Sequence, residues 1–151
     1  MIFQDPIGSL DPRMTVEAII GEAIDIHRLA ATKEARKTRI EELLVAVGLK
    51  PIHARRYPHE FSGGQRQLVA LARAEAWKAS LVLLDEPTAA LSAAATTRVV
   101  RVIMRLKEQG PCVLIISHDM TQAITISDRV LVLRHGCVAA NKFTRGLPPA
   151  T

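Results

Sequence analysis

The sequence predicts an α/β fold in which helices cover a parallel β-sheet. Residues 81–84 and 112–116 form two continuous apolar runs, as expected for strands that are buried on both faces. A helical pattern over residues 92–109 separates the two runs, and a strand–helix–strand unit favours a right-handed crossover with parallel strands. Aromatic residues make up 3% of the chain and hydrophobic residues 48%, so the core is expected to be aliphatic.

Composition and charge exclude several classes of protein. At 151 residues the chain has room for one ordinary domain or a piece of a larger one. The net charge is +5, but the basic residues are scattered along helical faces without interleaved aromatics, which indicates solvated faces and no nucleic-acid surface. No apolar run reaches membrane-spanning length and the first residues do not resemble a signal peptide, so a cytosolic polypeptide is expected.

The two cysteines predict a reducing compartment. Cys112 and Cys137 cannot form a disulfide framework, and Cys112 lies inside an apolar run. Both are therefore expected to be small buried hydrophobic residues.

The first half of the chain is expected to be mostly helical. Residues 1–4 are typical of the end of a strand, with Gln4 at its tip, because an Asp-Pro pair follows. Thr15 begins a helix with an apolar stripe, and a second helix is expected over residues 32–47 with Gly48 as its stop. Residues 11–77 are therefore predicted to be almost wholly helical.

The last quarter predicts a short helix and a hairpin. The helix is expected over residues 119–126. Apolar segments at 130–133 and 138–141 flank His135-Gly136, which is typical of a hairpin turn. Residues 146–151 have the composition of a disordered tail.

A Ser-Gly-Gly-Gln run, residues 62–65, stands directly before a helical pattern that ends near Trp77. Ser62 can cap this helix, and Gly63 and Gly64 leave the first backbone N–H groups uncovered. Such groups at the positive end of a helix dipole suit a phosphate. Four residues alone fit an ordinary glycine-containing helix start equally well.

Acidic side chains follow the first apolar run at the edge where open α/β sheets bind ligands. Asp85 is suited to a magnesium ion, and Glu86 to polarising a water molecule as general base. The alternative is a strand that runs into a solvated acidic turn. His118 ends the second apolar run and could hydrogen-bond a phosphate or water, although a lone histidine is more often structural. Gln4 offers an amide carbonyl oxygen to magnesium or water.

These residues occur in one order along the chain: Gln4, then Ser62-Gly63-Gly64-Gln65, then Leu83-Leu84-Asp85-Glu86-Pro87-Thr88, then Ser117-His118-Asp119. That order and spacing resemble the ATP-binding cassette (ABC) family of transporter ATPases over about residues 1–143. By this resemblance Gln4 is similar to the Q-loop glutamine and residues 61–65 to the family signature. Asp85 and Glu86 are similar to the Walker B magnesium ligand and catalytic base, and His118 to the switch histidine.

The resemblance implies a partial P-loop NTPase (RecA-like) core with the ABC helical subdomain. The expected parts are residues 1–10 for the Q-loop and the end of a core strand, 11–77 for the helical signature subdomain, 78–143 for the carboxyl-terminal part of the ATPase core, and 144–151 for a tail. ATP is the implied substrate, and its Mg²⁺ is bound at Asp85 and Gln4. Residues 62–65 contact the γ-phosphate of the ATP molecule that is bound to a second subunit.

Two features depart from the family pattern. The sequence contains no Gly-x-x-x-x-Gly-Lys-Ser/Thr loop, so the Walker A phosphate cradle is missing and the isolated chain is expected to hydrolyse ATP poorly or not at all. Ser92 stands where the D-loop normally ends in Asp, although a serine can still cap the next helix. Residues 3–16 resemble oligopeptide, dipeptide and nickel importers, whereas residues 88–92, 116–120 and 127–129 are closer to simple-sugar importers.

The resemblance implies an importer ATPase subunit that is peripheral on the inner face of the cell membrane. Its expected partners are membrane permease subunits, a second ATP-binding subunit paired head to tail and, indirectly, a substrate-binding protein, with no nucleic acid. The alternative is a truncated, non-catalytic fragment that acts at most as a partner-binding module. A soluble ABC protein of DNA repair or the ribosome fits less well, because residues 6–16 are importer-like. We also expect the isolated chain to be aggregation-prone or only marginally folded, since losing the front half of the sheet would expose an apolar edge and one face of the helices that should cover it.

Overall fold

The computed structural model describes residues 2–3 and 10–145. The chain divides into two compact units, residues 1–116 and residues 117–151, which are described separately. Gln4 and the predicted tail from residue 146 onward lie outside the described residues. None of the helices in the described ranges is long and apolar enough to cross a membrane.

Four α-helices of the first unit begin at a side-chain cap. They are α1 (Val16–Ile26), α2 (Lys33–Ala46), α3 (Gly63–Ala76) and α4 (Ala93–Glu108), capped by Thr15, Thr32, Ser62 and Ser92. Each capping oxygen accepts a backbone N–H that would otherwise lack a partner in the first turn. Two 3₁₀ helices, Pro51–Arg55 and Pro58–Glu60, connect α2 to α3. The predicted helices are confirmed to within about a residue at each end.

Glycine ends α2 as predicted. Gly48 has φ of +80°, which side chains rarely tolerate. The N–H of Leu49 then donates to the carbonyl of Leu44 at 2.8 Å and that of Gly48 to Val45 at 2.9 Å, which is the Schellman arrangement. The chain can therefore turn back so that Leu49 joins the core.

One aliphatic core joins the helices to one face of the sheet. Its fully buried members recur at helical spacing on α1 and α2, as Ile20, Ile24, Leu43 and Leu44 illustrate. Leu84 of the sheet belongs to the same cluster. Apart from Phe61, the buried members of this cluster are aliphatic, so the expectation of a largely aliphatic core is confirmed.

Within the described residues, the sheet of the first unit contains three parallel strands in the order β1 (Ile2–Phe3), β2 (Leu81–Asp85) and β3 (Cys112–Ile116). Helix α4 connects β2 to β3, so the predicted strand–helix–strand unit with a parallel pair is confirmed. Asp85 is opposite Ile116 in the register, at the carboxyl ends of both strands.

The prediction that both strands are covered on both faces is wrong. Val82 and Leu84 are 1% exposed, whereas Leu114 and Ile116 on the opposite face are 52% and 50% exposed. Successive side chains of a strand point to opposite faces, so only one face of the described sheet is packed. Cys112 shares the open face with Leu114 and is exposed, and its predicted burial is therefore also wrong.

The second unit consists of a short helix and a two-stranded sheet. Helix α5 (Met120–Ile126) is followed by the antiparallel strands β4 (Arg129–Arg134) and β5 (Cys137–Phe143). His135 and Gly136 connect them with φ of +49° and +76°, so the predicted hairpin is confirmed. Cys137 is exposed, contrary to the prediction, because both strands of this hairpin are largely open to solvent.

Candidate functional site

The glycine-rich start of α3 is held by a reciprocal cap. The Ser62 Oγ accepts the N–H of Gln65 at 3.4 Å, and the Gln65 Oε1 accepts the N–H of Ser62 at 3.1 Å. The predicted cap at Ser62 is confirmed. The second half of the capping box was missed, although Ser-x-x-Gln is a recognised signal for it. Because the N–H of Gln65 donates to Ser62, the N–H groups of Gly63 and Gly64 are the ones in the first turn that have no acceptor within the helix.

The two glycines lie in different surroundings. A Cβ atom on Gly64 would be 2.9 Å from the Cβ of Ala95 on α4, closer than side chains pack. A Cβ atom on Gly63 would meet only the Leu91 side chain, at 3.8 Å, which is ordinary contact. Gly64 is buried and Gly63 only partly so. Sequence reasoning treated the two glycines as equivalent, because the contact with α4 joins residues 31 positions apart in the sequence.

The residue before the cap is anchored in the core. Phe61 is 5% exposed, and its ring meets the His53 ring edge-on with centroids 5.6 Å apart. Burial, followed by the charges of Arg56 and Lys50, lowers the pKa of His53, and its Nδ1 accepts the N–H of Lys50 at 3.2 Å. A neutral ring is the form that can accept this bond, and it holds Phe61 and the start of α3 in place.

The acidic pair stands at the carboxyl edge of β2. Asp85 is the last residue of the strand, and the N–H of Glu86 donates to the carbonyl of Ile116 at 2.9 Å, which continues the ladder by one bond. Both acidic residues are half-buried. The structure therefore places Asp85 and Glu86 together at the edge expected for ligand binding.

Glu86 adopts an unusual backbone conformation. Its φ is +46°, in the left-handed region that a residue with a side chain rarely enters. Ala90, four residues later, has φ of +57°. The backbone strain therefore begins within the acidic pair, at Glu86, and recurs in the turn that follows, and strain of this kind is typical of functional turns. Nothing in the local sequence indicated it.

The carboxylate oxygens at the carboxyl edge of β2 are suitable ligands for a magnesium ion. Mg²⁺ is usually held by one or two carboxylates together with substrate phosphates and water molecules. Asp85 is a partly exposed carboxylate at a strand end and matches that limited protein contribution. Within residues 2–3 and 10–145 no three acidic, histidine or cysteine side chains form a closed metal cluster. Asp85 as a magnesium ligand stays a prediction.

Ser92 caps the helix that follows the acidic turn. Its Oγ accepts the N–H of Ala95 at 3.4 Å, which confirms the capping role predicted for this serine. The side chain is exposed, as expected for a residue at the end of a loop. The cap and the close contact with Gly64 therefore involve the same residue, Ala95.

The remaining predicted site residues belong to the second unit or lie outside the described residues. His118 is exposed and belongs to the second unit, directly before Asp119, which caps α5 by accepting the N–H of Gln122 at 2.9 Å. Gln4 lies outside the described residues. The first unit thus brings together residues 62–65 and the loop after Glu86, through Leu91 and Ala95.

A sequence model of the family described as ABC transporter matches residues 1–89. The oligopeptide transport ATP-binding protein OppF of Bacillus subtilis is 51% identical over 137 residues, which is 90% of this chain and 45% of OppF. The glutathione import ATP-binding protein GsiA of Pectobacterium atrosepticum is 47% identical over 137 residues, covering 90% of this chain and 22% of GsiA. This chain therefore spans less than half the length of either relative.

Solved structures show the same fold. The dimeric ATP-binding cassette MJ0796 in a post-hydrolysis state with ADP and phosphate superposes with a TM-score of 0.81 at 32% identity. The superposition covers 97% of this chain and 62% of that one. The predicted α/β fold, a partial ABC cassette, is confirmed.

Proposed function

This chain belongs to the ABC transporter family, and from that premise we propose that it is the signature- and Walker B-bearing part of the ATPase subunit of an importer. One observation carries the proposal. A single compact unit contains both the capped glycine turn at residues 62–65 and the Asp85–Glu86 edge, and Leu91 after that edge lies against the turn. Amide donors for a phosphate and oxygen atoms for a cation and a water molecule are what phosphoryl transfer to water requires.

The proposed roles follow from the chemistry of each side chain. Glu86 accepts the proton of the attacking water, and the turn at residues 62–65 donates N–H groups to the γ-phosphate of ATP on a second subunit. Asp85 holds the magnesium ion, which when bound neutralises charge on phosphate oxygens. His118 and Gln4 orient the water and the γ-phosphate, and Gln4 also contributes an oxygen to the metal.

Different segments of the chain are proposed to have different roles in transport. Residues 11–77 form the helical subdomain that faces the permease, and residues 78–143 form the carboxyl-terminal part of the ATPase core. Residues 1–10 contain the Q-loop, which joins them, and residues 144–151 form a tail. Hydrolysis removes the charge that holds two paired cassettes together, so the pair opens. The helical subdomain transmits this movement to the permease.

The comparisons favour particular partners. MJ0796 is described as a dimer, which supports a second ATP-binding subunit as partner. OppF and GsiA are named for oligopeptide transport and glutathione import, which favours a peptide-class solute over a sugar. We therefore propose a subunit on the inner face of the membrane, bound to a peptide permease and served by a substrate-binding protein.

A chimaera with OppF tests the proposal. The matched 137-residue segment of OppF is replaced by the corresponding segment of this chain. We expect ATP hydrolysis by the chimaera, and Glu86→Gln should lower it by roughly 100-fold or more, as for loss of a general base. Glu108→Gln changes an exposed acid of α4 and should leave the rate unchanged.

Three results would contradict the proposal. The first is a folded chimaera without ATPase activity beside an active OppF. The second is a chimaera whose rate is insensitive to Glu86→Gln. The third concerns chain 1–151 alone, which has no Walker A sequence: we expect neither hydrolysis nor micromolar ATP binding in a calorimetric titration with Mg²⁺. Micromolar binding would show that other residues hold the phosphates.

A further inference from the structure

The contact between Gly64 and Ala95 explains why a glycine stands at position 64. The φ of Gly64 is not positive, so its backbone conformation does not demand glycine. Its surroundings do, because an added Cβ would lie 2.9 Å from the Ala95 Cβ. Ala95 is itself small, so the first turns of α3 and α4 meet through a glycine and a methyl group with no room for a second methyl group.

We propose that Ala95 is a positioning residue for the amide groups of the glycine turn at residues 62–65, and that Gly64 is a glycine because of this contact. The inference rests on the proposed function of residues 62–65. Ala95 donates its N–H to Ser92 and presents its methyl group to Gly64. One residue thus joins the glycine turn to the end of the loop that begins at Glu86.

The distances make the position of the turn sensitive to this contact. Ordinary contacts begin near 3.4 Å, so a methyl group on residue 64 would displace one helix by about 0.5 Å. Hydrogen bonds from N–H to oxygen span only about 2.7–3.2 Å. A displacement of that size is enough to misplace the donors of Gly63 and its neighbours. A Cβ atom on either glycine would also lie 3.8 Å from the Leu91 Cδ2, which is ordinary contact.

Reciprocal substitution in chain 1–151 tests the proposal. Gly64→Ala should lower the melting temperature by roughly 3–10 °C, the range expected for an overpacked methyl group. Ala95→Gly removes the opposing methyl group, so the double variant should melt above Gly64→Ala. Gly63→Ala is the matched control for melting, since it makes the same change one residue earlier where space is available.

The position of the turn is measured separately from stability. The ¹⁵N–¹H shifts of residues 63–65 are recorded without ligand and during titration with inorganic phosphate. We expect Gly64→Ala to move the ligand-free shifts and to weaken phosphate binding at least 3-fold, and the double variant to restore both. Rescue of melting without rescue of the shifts and the phosphate affinity would overturn the positioning role. So would a melting effect of Gly63→Ala as large as that of Gly64→Ala.

The outcomes separate this inference from the proposed function. If the wild-type chain shows no response to phosphate, the anion role of the turn fails, while the ligand-free shifts still decide whether Ala95 positions it. If Gly64→Ala does not fold, a folded double variant supports the contact. A double variant that also fails to fold overturns it, provided that Ala95→Gly alone folds.

Discussion

Arg105 on α4 joins three helices, and its removal should destabilise the protein more than loss of a surface ion pair. Its Nη1 donates to the carbonyl of Ala46 at the end of α2, and its Nη2 donates to the Glu75 Oε2 of α3 at 2.7 Å. Gln109 donates to the other oxygen of Glu75 at 3.3 Å. Glu75 is 11% exposed and Arg105 35% exposed, so the pair is largely but not fully removed from water.

The expected magnitude follows from that burial. Breaking a fully buried pair costs about 3–5 kcal/mol because a charge is stranded, whereas exposed pairs are worth about 0–1 kcal/mol. Arg105→Met keeps the aliphatic stem but leaves the Glu75 carboxylate without its cation. With Arg105 one-third exposed, we expect a loss of about 2 kcal/mol in the free energy of unfolding. For a chain of this size that corresponds to a fall of about 4–8 °C in melting temperature.

Thermal and urea denaturation of matched variants provide the assay. Arg39→Met removes an exposed pair on α2, where Arg39 and Glu42 are 3.1 Å apart and 40% and 58% exposed, and should cost no more than about 0.5 kcal/mol. Arg105→Met with Glu75→Gln should cost less than the sum of the single changes, because the stranded charge is gone. An Arg105→Met variant no less stable than Arg39→Met would refute the reasoning, as would strict additivity of the two substitutions.

Two further predictions concern local structure and exposure. Ser92→Ala should lower the free energy of unfolding by about 1 kcal/mol because the Ala95 N–H loses its cap, whereas Ser92→Asp should retain stability; equal melting temperatures for all three proteins would contradict this. Cys112 and Cys137 should both react with Ellman's reagent in the native protein, since both are exposed. An unreactive Cys112 before denaturation would show that the open face of the sheet is covered in solution, and an unreactive Cys137 would show the same for the hairpin.

The open sheet face also bears on the expected aggregation. Leu114 and Ile116 are about half exposed beside the exposed Cys112, and together they form an apolar strip on the edge strand β3. Exposed apolar strands are typical association sites. Aggregation of the isolated chain therefore stays a prediction, and light scattering of chain 1–151 at increasing concentration tests it.

Several features were predictable because they depend on residues within one helical turn of each other. The caps at Ser62 and Ser92 and the stop at Gly48 each need only a side chain or a backbone conformation at one position and an N–H three or four residues away. The hairpin at His135-Gly136 is equally local. The order of Gln4, the glycine turn, the acidic pair and His118 along the chain indicated the ABC family, which the family match confirms.

Other features depended on distant contacts and on which surfaces are covered. An apolar run predicts a strand but does not reveal how many faces are packed, so the burial of Cys112 was predicted wrongly. The Arg105–Glu75 ion pair joins α4 to α3, and the strained residue Glu86 is hydrogen-bonded to Ile116 at the end of β3. Both features involve segments that meet only in the folded chain. Sequence alone determined the elements and their chemistry, because local hydrogen bonding and periodicity encode them. Only the tertiary structure decided that Gly64 packs against Ala95, because that contact depends on how closely two helices approach.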